Sequence, residues 1–111
     1  MKRVFISVPM TGRQHDAILS DIDKVIKQFR TVEPYGQGEE VEFVHNLNPD
    51  DFQSHEPNET RNPGLWYLGR AIQQLSGCDA CIFTFGWENS KGCCIEHEVC
   101  LKYGIQAFYE R

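Results

Sequence analysis

The chain has 111 residues, 41% hydrophobic and 24% charged, a size and balance that suit one folded domain over 1–111 and exclude a disordered or low-complexity segment. Eleven Lys and Arg against sixteen Asp and Glu leave a net charge of −5, which argues against a general nucleic-acid or anionic-membrane binder but allows a small local anion site. No apolar stretch approaches the roughly 18 residues of a membrane span, and Met1-Lys2-Arg3 runs straight into a strand-like segment rather than a signal peptide, so a cytoplasmic protein is expected.

Arg3-Val4-Phe5-Ile6-Ser7-Val8, ended by Pro9, reads as a buried strand, and Thr11-Gly12-Arg13 as a turn. From about Gln14 to Arg30 the apolar positions Ile18, Ile22, Val25 and Phe29 recur at helical spacing, widened by Leu19 and Ile26. Gly36 and Gly38 mark a loop, and Val41 to Val44 a second strand. Asn46 to Gly64 carries Pro49, Pro57 and Pro63 without periodicity, a length more common in functional than in idle loops. Leu65, Leu68, Ile72 and Leu75 then repeat as a helix that ends at Ser76-Gly77. Ala80 to Phe85 reads as a third strand, Gly86 to Gly92 as a polar loop, Cys93 to Tyr103 as a helix stopped by Gly104, and Ile105 to Tyr109 as a last strand. This alternation predicts an α/β fold of the flavodoxin-like three-layer kind, with a small, mainly parallel sheet of four to five strands. So small a sheet also predicts a homodimer or higher homo-oligomer that covers an exposed face.

In an open α/β sheet, ligands bind beyond the carboxyl ends of the strands, where strand order reverses. Pro9 to Arg13, Asn46 to Asp51 and Gly86 to Glu96 land on that edge. Ser90 is a good N-cap type, and Gly92 lets a backbone approach a ligand closely. A helix starting there turns its free N–H groups and positive dipole end toward an anion. That field should keep the Glu96 carboxylate ionised, as a nucleophile or an anchor for sugar hydroxyls requires; the plainer reading is a helix-start Glu that complements the dipole. Arg13 is a second candidate anion contact or an ordinary surface arginine.

The five cysteines are odd in number, and Cys93 and Cys94 are adjacent, so no disulfide framework is suggested. Cys78, Cys81, Cys93, Cys94 and His97 can be written as a zinc set, but Cys81 lies in an apolar strand and Cys93 and Cys94 diverge by about 100° on a helix. Buried small hydrophobes are the better account of Cys81, Cys94 and Cys100, and neither metal nor organic cofactor is expected. Trp87 can stack on a nucleobase or cap the core or a dimer contact. Trp66 and Tyr67 read as packing or interface residues, and His15 and His97 as solvated helix residues.

Phe5-Ile6-Ser7-Val8-Pro9-Met10-Thr11-Gly12, Cys78-Asp79-Ala80-Cys81-Ile82-Phe83, Gly86-Trp87-Glu88-Asn89-Ser90-Lys91-Gly92 with Glu96, and Tyr103-Gly104-Ile105 together resemble the nucleoside 2-deoxyribosyltransferase superfamily, in particular its small bacterial and phage members. The likeness covers most of the chain and is sharp at its two ends; residues 35–64 carry none of it. The superfamily also contains N-glycosidases of (deoxy)nucleoside 5′-monophosphates. The resemblance implies that Glu96 is the nucleophile that attacks C1′ of the sugar and releases the base. Ser90 falls where the transferases place an aspartate and the monophosphate hydrolases a phosphate-binding serine. Phe5 stands in place of a family tyrosine, and Pro9 replaces a small residue of the turn and removes an N–H. Ala71, with Arg70 beside it, stands where the family usually carries an aspartate that handles the departing base. Asp50, Asp51 or Glu98 would then have to supply the proton, although Glu98 and Glu96, two apart on a helix, diverge.

The expectation is therefore hydrolysis of, or deoxyribosyl transfer through, the N-glycosidic bond of a nucleoside or its 5′-monophosphate. Glu96 would be the nucleophile; Ser90, Lys91, Gly92 and Arg13 would hold phosphate, Trp87 would flank the base, and Gly12 and Phe5 would complete the site. The alternatives are a nucleotide-binding module of the same fold with weak or no catalysis, and a structural interaction protein whose crevice is filled by its own side chains.

Overall fold

A computed structural model describes residues 2–30, 40–46 and 61–111. Among these, four strands and three helices alternate: β1 (Lys2–Ser7), α1 (His15–Arg30), β2 (Val41–Val44), α2 (Pro63–Leu75), β3 (Ala80–Phe83), α3 (Lys91–Tyr103) and β4 (Gln106–Tyr109), with a 3-10 turn over Trp87–Asn89 before α3. The strands form one parallel sheet in the order β2-β1-β3-β4. This is a small flavodoxin-like α/β sandwich, as the alternation predicts. Strand order reverses between β1 and β3, which pair from Val4↔Ala80 to Ser7↔Phe83, so the crevice of the fold opens beyond Ser7 and Phe83.

Parallel strands covered on both faces are apolar on both faces. In β1, Val4 and Ile6, with Val8 just beyond, face Ile18, Ile22, Val25 and Phe29 of α1, while Phe5 turns to the other face toward Ala71 and Leu75 of α2 and Cys100 of α3. Asp16 in the first turn of α1 and Lys27 and Arg30 in its last complement the helix dipole.

Several boundaries differ from the sequence expectation, each for a local reason. Asn62 caps α2 by accepting from the Leu65 N–H at 3.2 Å, and Pro63 takes the first helical position, so this helix begins before Leu65. β3 stops at Phe83 because the chain turns at Gly86, whose φ of 88° is left-handed, and the Trp87 N–H donates to the Thr84 carbonyl. α3 begins at Lys91, directly after its cap Ser90, rather than at Cys93; its stop at Gly104, with φ 72°, is as expected. No helix among the described residues is long and apolar enough to cross a membrane. Asp50, Asp51 and most of the segment from Asn46 to Gly64 lie outside the described residues.

Candidate functional site

At the carboxyl edge of β1 and β3 lies a cleft of about 870 Å³. Its floor comes from β1 and the turn after it (Phe5, Val8, Pro9), one wall from α2 (Tyr67, Leu68, Ala71) and the other from the start of α3 (Ser90 to Cys93, then Glu96). Ser90 caps α3, its hydroxyl accepting from the Cys93 N–H at 3.3 Å, and Lys91 and Gly92, whose N–H groups open the helix, line the cleft. The first turn of α3 holds no acidic residue and begins with Lys91. A cation there is set against the helix dipole, an arrangement that an arriving anion would relieve. A Cβ built on Gly92 would meet nothing nearer than Leu68 Cδ1 at 4.0 Å; the fold itself leaves that space open.

Glu96 is 7% exposed and lines the cleft. It sits in a buried stripe of α3 between Cys93 and Cys100, spaced i, i+3, i+7. The Ser7 hydroxyl donates to Glu96 Oε1 at 2.6 Å. Burial pushes the carboxyl up from 4.5 to about 7, while the Ser7 hydrogen bond pulls it the other way. The expectation of a fully ionised carboxylate is thereby corrected. Position 96 is in the second turn, beyond the reach of the amides at the helix start, and loss of water outweighs the dipole. At neutral pH the group is divided between its two forms, suited to a carboxylate that acts once water has left or that meets a ligand as donor and acceptor.

The neighbouring thiol is less reactive. Cys93 is held above the ordinary thiol range by burial, against the Ser7 and Ser90 hydroxyls that lower it, so it is a poor nucleophile at neutral pH. Burial pushes Cys81 far up as well. Cys81 and Cys100 are buried as expected, whereas Cys94 is half-buried, its thiol donating to the Glu88 carbonyl at 3.3 Å.

The sequence candidates Phe5, Arg13, Ser90, Lys91, Gly92 and Glu96 all border the cleft. Arg13 does so with its guanidinium engaged, by Asp21 at 2.5 Å and the Pro9 carbonyl at 3.0 Å. Lys91 has no ion pair among the described residues. Trp87 and Gly12 are not among the residues that line the cleft. The Trp87 ring packs instead on His97, 4.4 Å between centroids, and on Phe83 at 5.3 Å. His97 is likewise half-buried rather than solvated, with Nε2 2.7 Å from the Tyr109 hydroxyl. Glu98 is exposed, on a different face from Glu96, and Ala71 presents a methyl group to the cleft wall.

Ser7, bonded to Glu96, and Tyr67, on the cleft wall, join the site from outside the sequence candidates, and Asn46 joins it as the first residue of the edge segment Asn46 to Asp51. Asn46 is buried and donates from Nδ2 to the Tyr67 carbonyl at 3.0 Å, tying the end of β2 to α2. The signal for Ser7 was present: it is the one polar residue of the apolar run Val4–Val8, on the strand face shared with Phe5. Among the described residues no cluster of three or more His, Cys, Asp and Glu is placed to hold a metal ion.

No protein-family model matches the chain, and comparison with curated proteins and with solved structures finds no match. The functional reading therefore rests on the geometry of the cleft.

Proposed function

We propose that the cleft binds a nucleoside or nucleoside 5′-monophosphate and that Glu96 opens its N-glycosidic bond. The observation that carries this reading is a buried carboxyl, held by a hydroxyl, on the wall of a cleft at the strand-order reversal. The amides at the start of α3, the Ser90 hydroxyl and the Lys91 ammonium would receive the phosphate. The apolar surface of Phe5, Val8 and Leu68 would hold the sugar or the base. With the sugar seated, Glu96 Oε2 attacks C1′, the C1′–N bond breaks, and the base leaves with the bonding pair and takes up a proton from water. Water or a second base then cleaves the glycosyl ester, giving hydrolysis or transfer.

A second reading, a nucleotide-binding module in which Glu96 grips sugar hydroxyls without cleavage, is favoured by Ala71. Its methyl group borders the cleft and offers no proton to a leaving base. A mass-spectrometric screen of nucleosides and their 5′-monophosphates for released base separates the two. Release from at least one substrate is expected under cleavage; binding by calorimetry without release supports the binding module. Monophosphates should bind more tightly than the matching nucleosides, and equal affinity would remove the phosphate from the proposal. We further propose a cytoplasmic homo-oligomer, testable by sedimentation.

A further inference from the structure

We infer that Ser7 is the positioning residue of the site: its hydroxyl fixes Glu96 through Oε1 and leaves Oε2 as the oxygen offered to the cleft. The inference rests on the proposed role of Glu96 and adds to it the device that holds the carboxyl in place.

A glutamate side chain has three freely turning bonds, and a reacting oxygen must be held within a fraction of an ångström to be useful. Ser7 can supply that constraint because its own position is fixed. It ends the central strand β1, is paired with Phe83 of β3, accepts the Thr84 N–H at 3.1 Å on its carbonyl, and is 1% exposed. Its hydroxyl donates to Glu96 Oε1 at 2.6 Å, a length typical of a donor to a charged carboxylate, with the Cys93 thiol as the other group beside it. Among the described residues this is the one hydrogen bond that Glu96 receives. Phe5, two residues earlier on the same strand face, has no hydroxyl to offer, and the Asn46 amide bonds to the Tyr67 carbonyl rather than to Glu96.

The same bond acts on the charge of Glu96. Cys93 and Cys100 on its own helix and Cys81 on β3 lie near it, and the charge of the carboxylate works against the ionisation of each thiol. From α2 the cleft receives Tyr67 together with Leu68 and Ala71, which carry no charge, and Arg13, His15 and Lys91 stand elsewhere on its lining. Burial thus opposes ionisation, and Ser7 is the group bonded to Glu96 that favours it.

The test is a carbon-13 NMR titration of the Glu96 carboxyl in the full chain without ligand. Ser7→Thr and Ser7→Val have nearly the same shape and differ by the hydroxyl. Ser7→Thr should titrate near the wild-type chain, and Ser7→Val higher by on the order of one pH unit. Ser7→Ala carries the same comparison if valine overfills the strand. Where base is released, the acid limb of kcat/KM should move by the same amount in the variants that lack the hydroxyl. Coincident titrations of Ser7→Thr and of Ser7→Val or Ser7→Ala would overturn the role of Ser7, whatever the activity. Absence of base release from every substrate would instead overturn the glycosidase reading and leave the titration result standing.

Discussion

On the sheet face covered by α1, Val4, Ile6 and Val8 meet Ile18, Ile22, Val25 and Phe29, with Ala80 and Ile82 beside them. On the opposite face Phe5 and Ser7 of the same strand meet α2 and α3, and there the interior holds a carboxyl and several thiols, beside a cleft of about 870 Å³ whose lining also takes Val8 and Ile18 from the α1 side. The two faces alternate residue by residue along one strand, so their difference is written by side-chain choice rather than by backbone. The α1 face buries an apolar cluster; the α2–α3 face buries a second one together with a titratable group. A cost of that kind is expected where a ligand is to be bound.

Substitutions can break this contrast. The largest change in stability is expected on the α1 face: Ile22→Ala should lower unfolding stability by about 2–5 kcal/mol in urea titrations and leave the titration of Glu96 in place. A comparable effect of opposite sign is expected from Glu96→Gln. The folded chain binds the Glu96 proton more tightly than the unfolded chain, about 7 against 4.5. Its favourable contribution is therefore complete at low pH and is lost as the pH rises to about 7. Glutamine cannot ionise, so the variant should be more stable than the wild-type chain by roughly 3 kcal/mol near pH 8 and little different near pH 4. Equal stabilities at high pH would mean that the carboxyl is well solvated. Ser90→Ala removes the cap of α3 and should cost about 1 kcal/mol in stability while reducing any preference for monophosphates over nucleosides. The smallest change is expected from Gly92→Ala. The fold has room for the methyl group, so stability should rise by roughly 0.5–1 kcal/mol, while calorimetry should show weaker nucleotide binding. Unchanged binding would place the ligand away from this turn.

The same contrast explains what could be read from the sequence. α1 is legible because one face of it packs an apolar cluster and the other meets water: Ile18, Ile22, Val25 and Phe29 declare a helix at once. The parallel order also follows from the alternation of elements, and Ser90 and Gly104 mark the ends of α3 by their cap chemistry. What was hidden lay on the other face. Glu96 occupies a core position between Cys93 and Cys100, but a charged residue hides that stripe from a hydrophobic pattern, so its burial and its raised pKa come only with the fold. The Ser7 contact joins residues 89 positions apart in sequence, beyond the reach of local spacing. Trp87 follows the strand end closely enough to suggest the cleft, yet its ring turns to His97 and Phe83 because the Gly86 turn sends it to the β4 side. The Arg13 guanidinium is bonded to a helix residue eight positions on, which its turn sequence does not announce.

The most direct test of the account is base release by the wild-type chain and by Glu96→Ala, side by side, on a panel of nucleosides and nucleoside 5′-monophosphates. The account predicts release by the wild-type chain and only background by the variant, with both folded by circular dichroism. Equal release by the two proteins would contradict it.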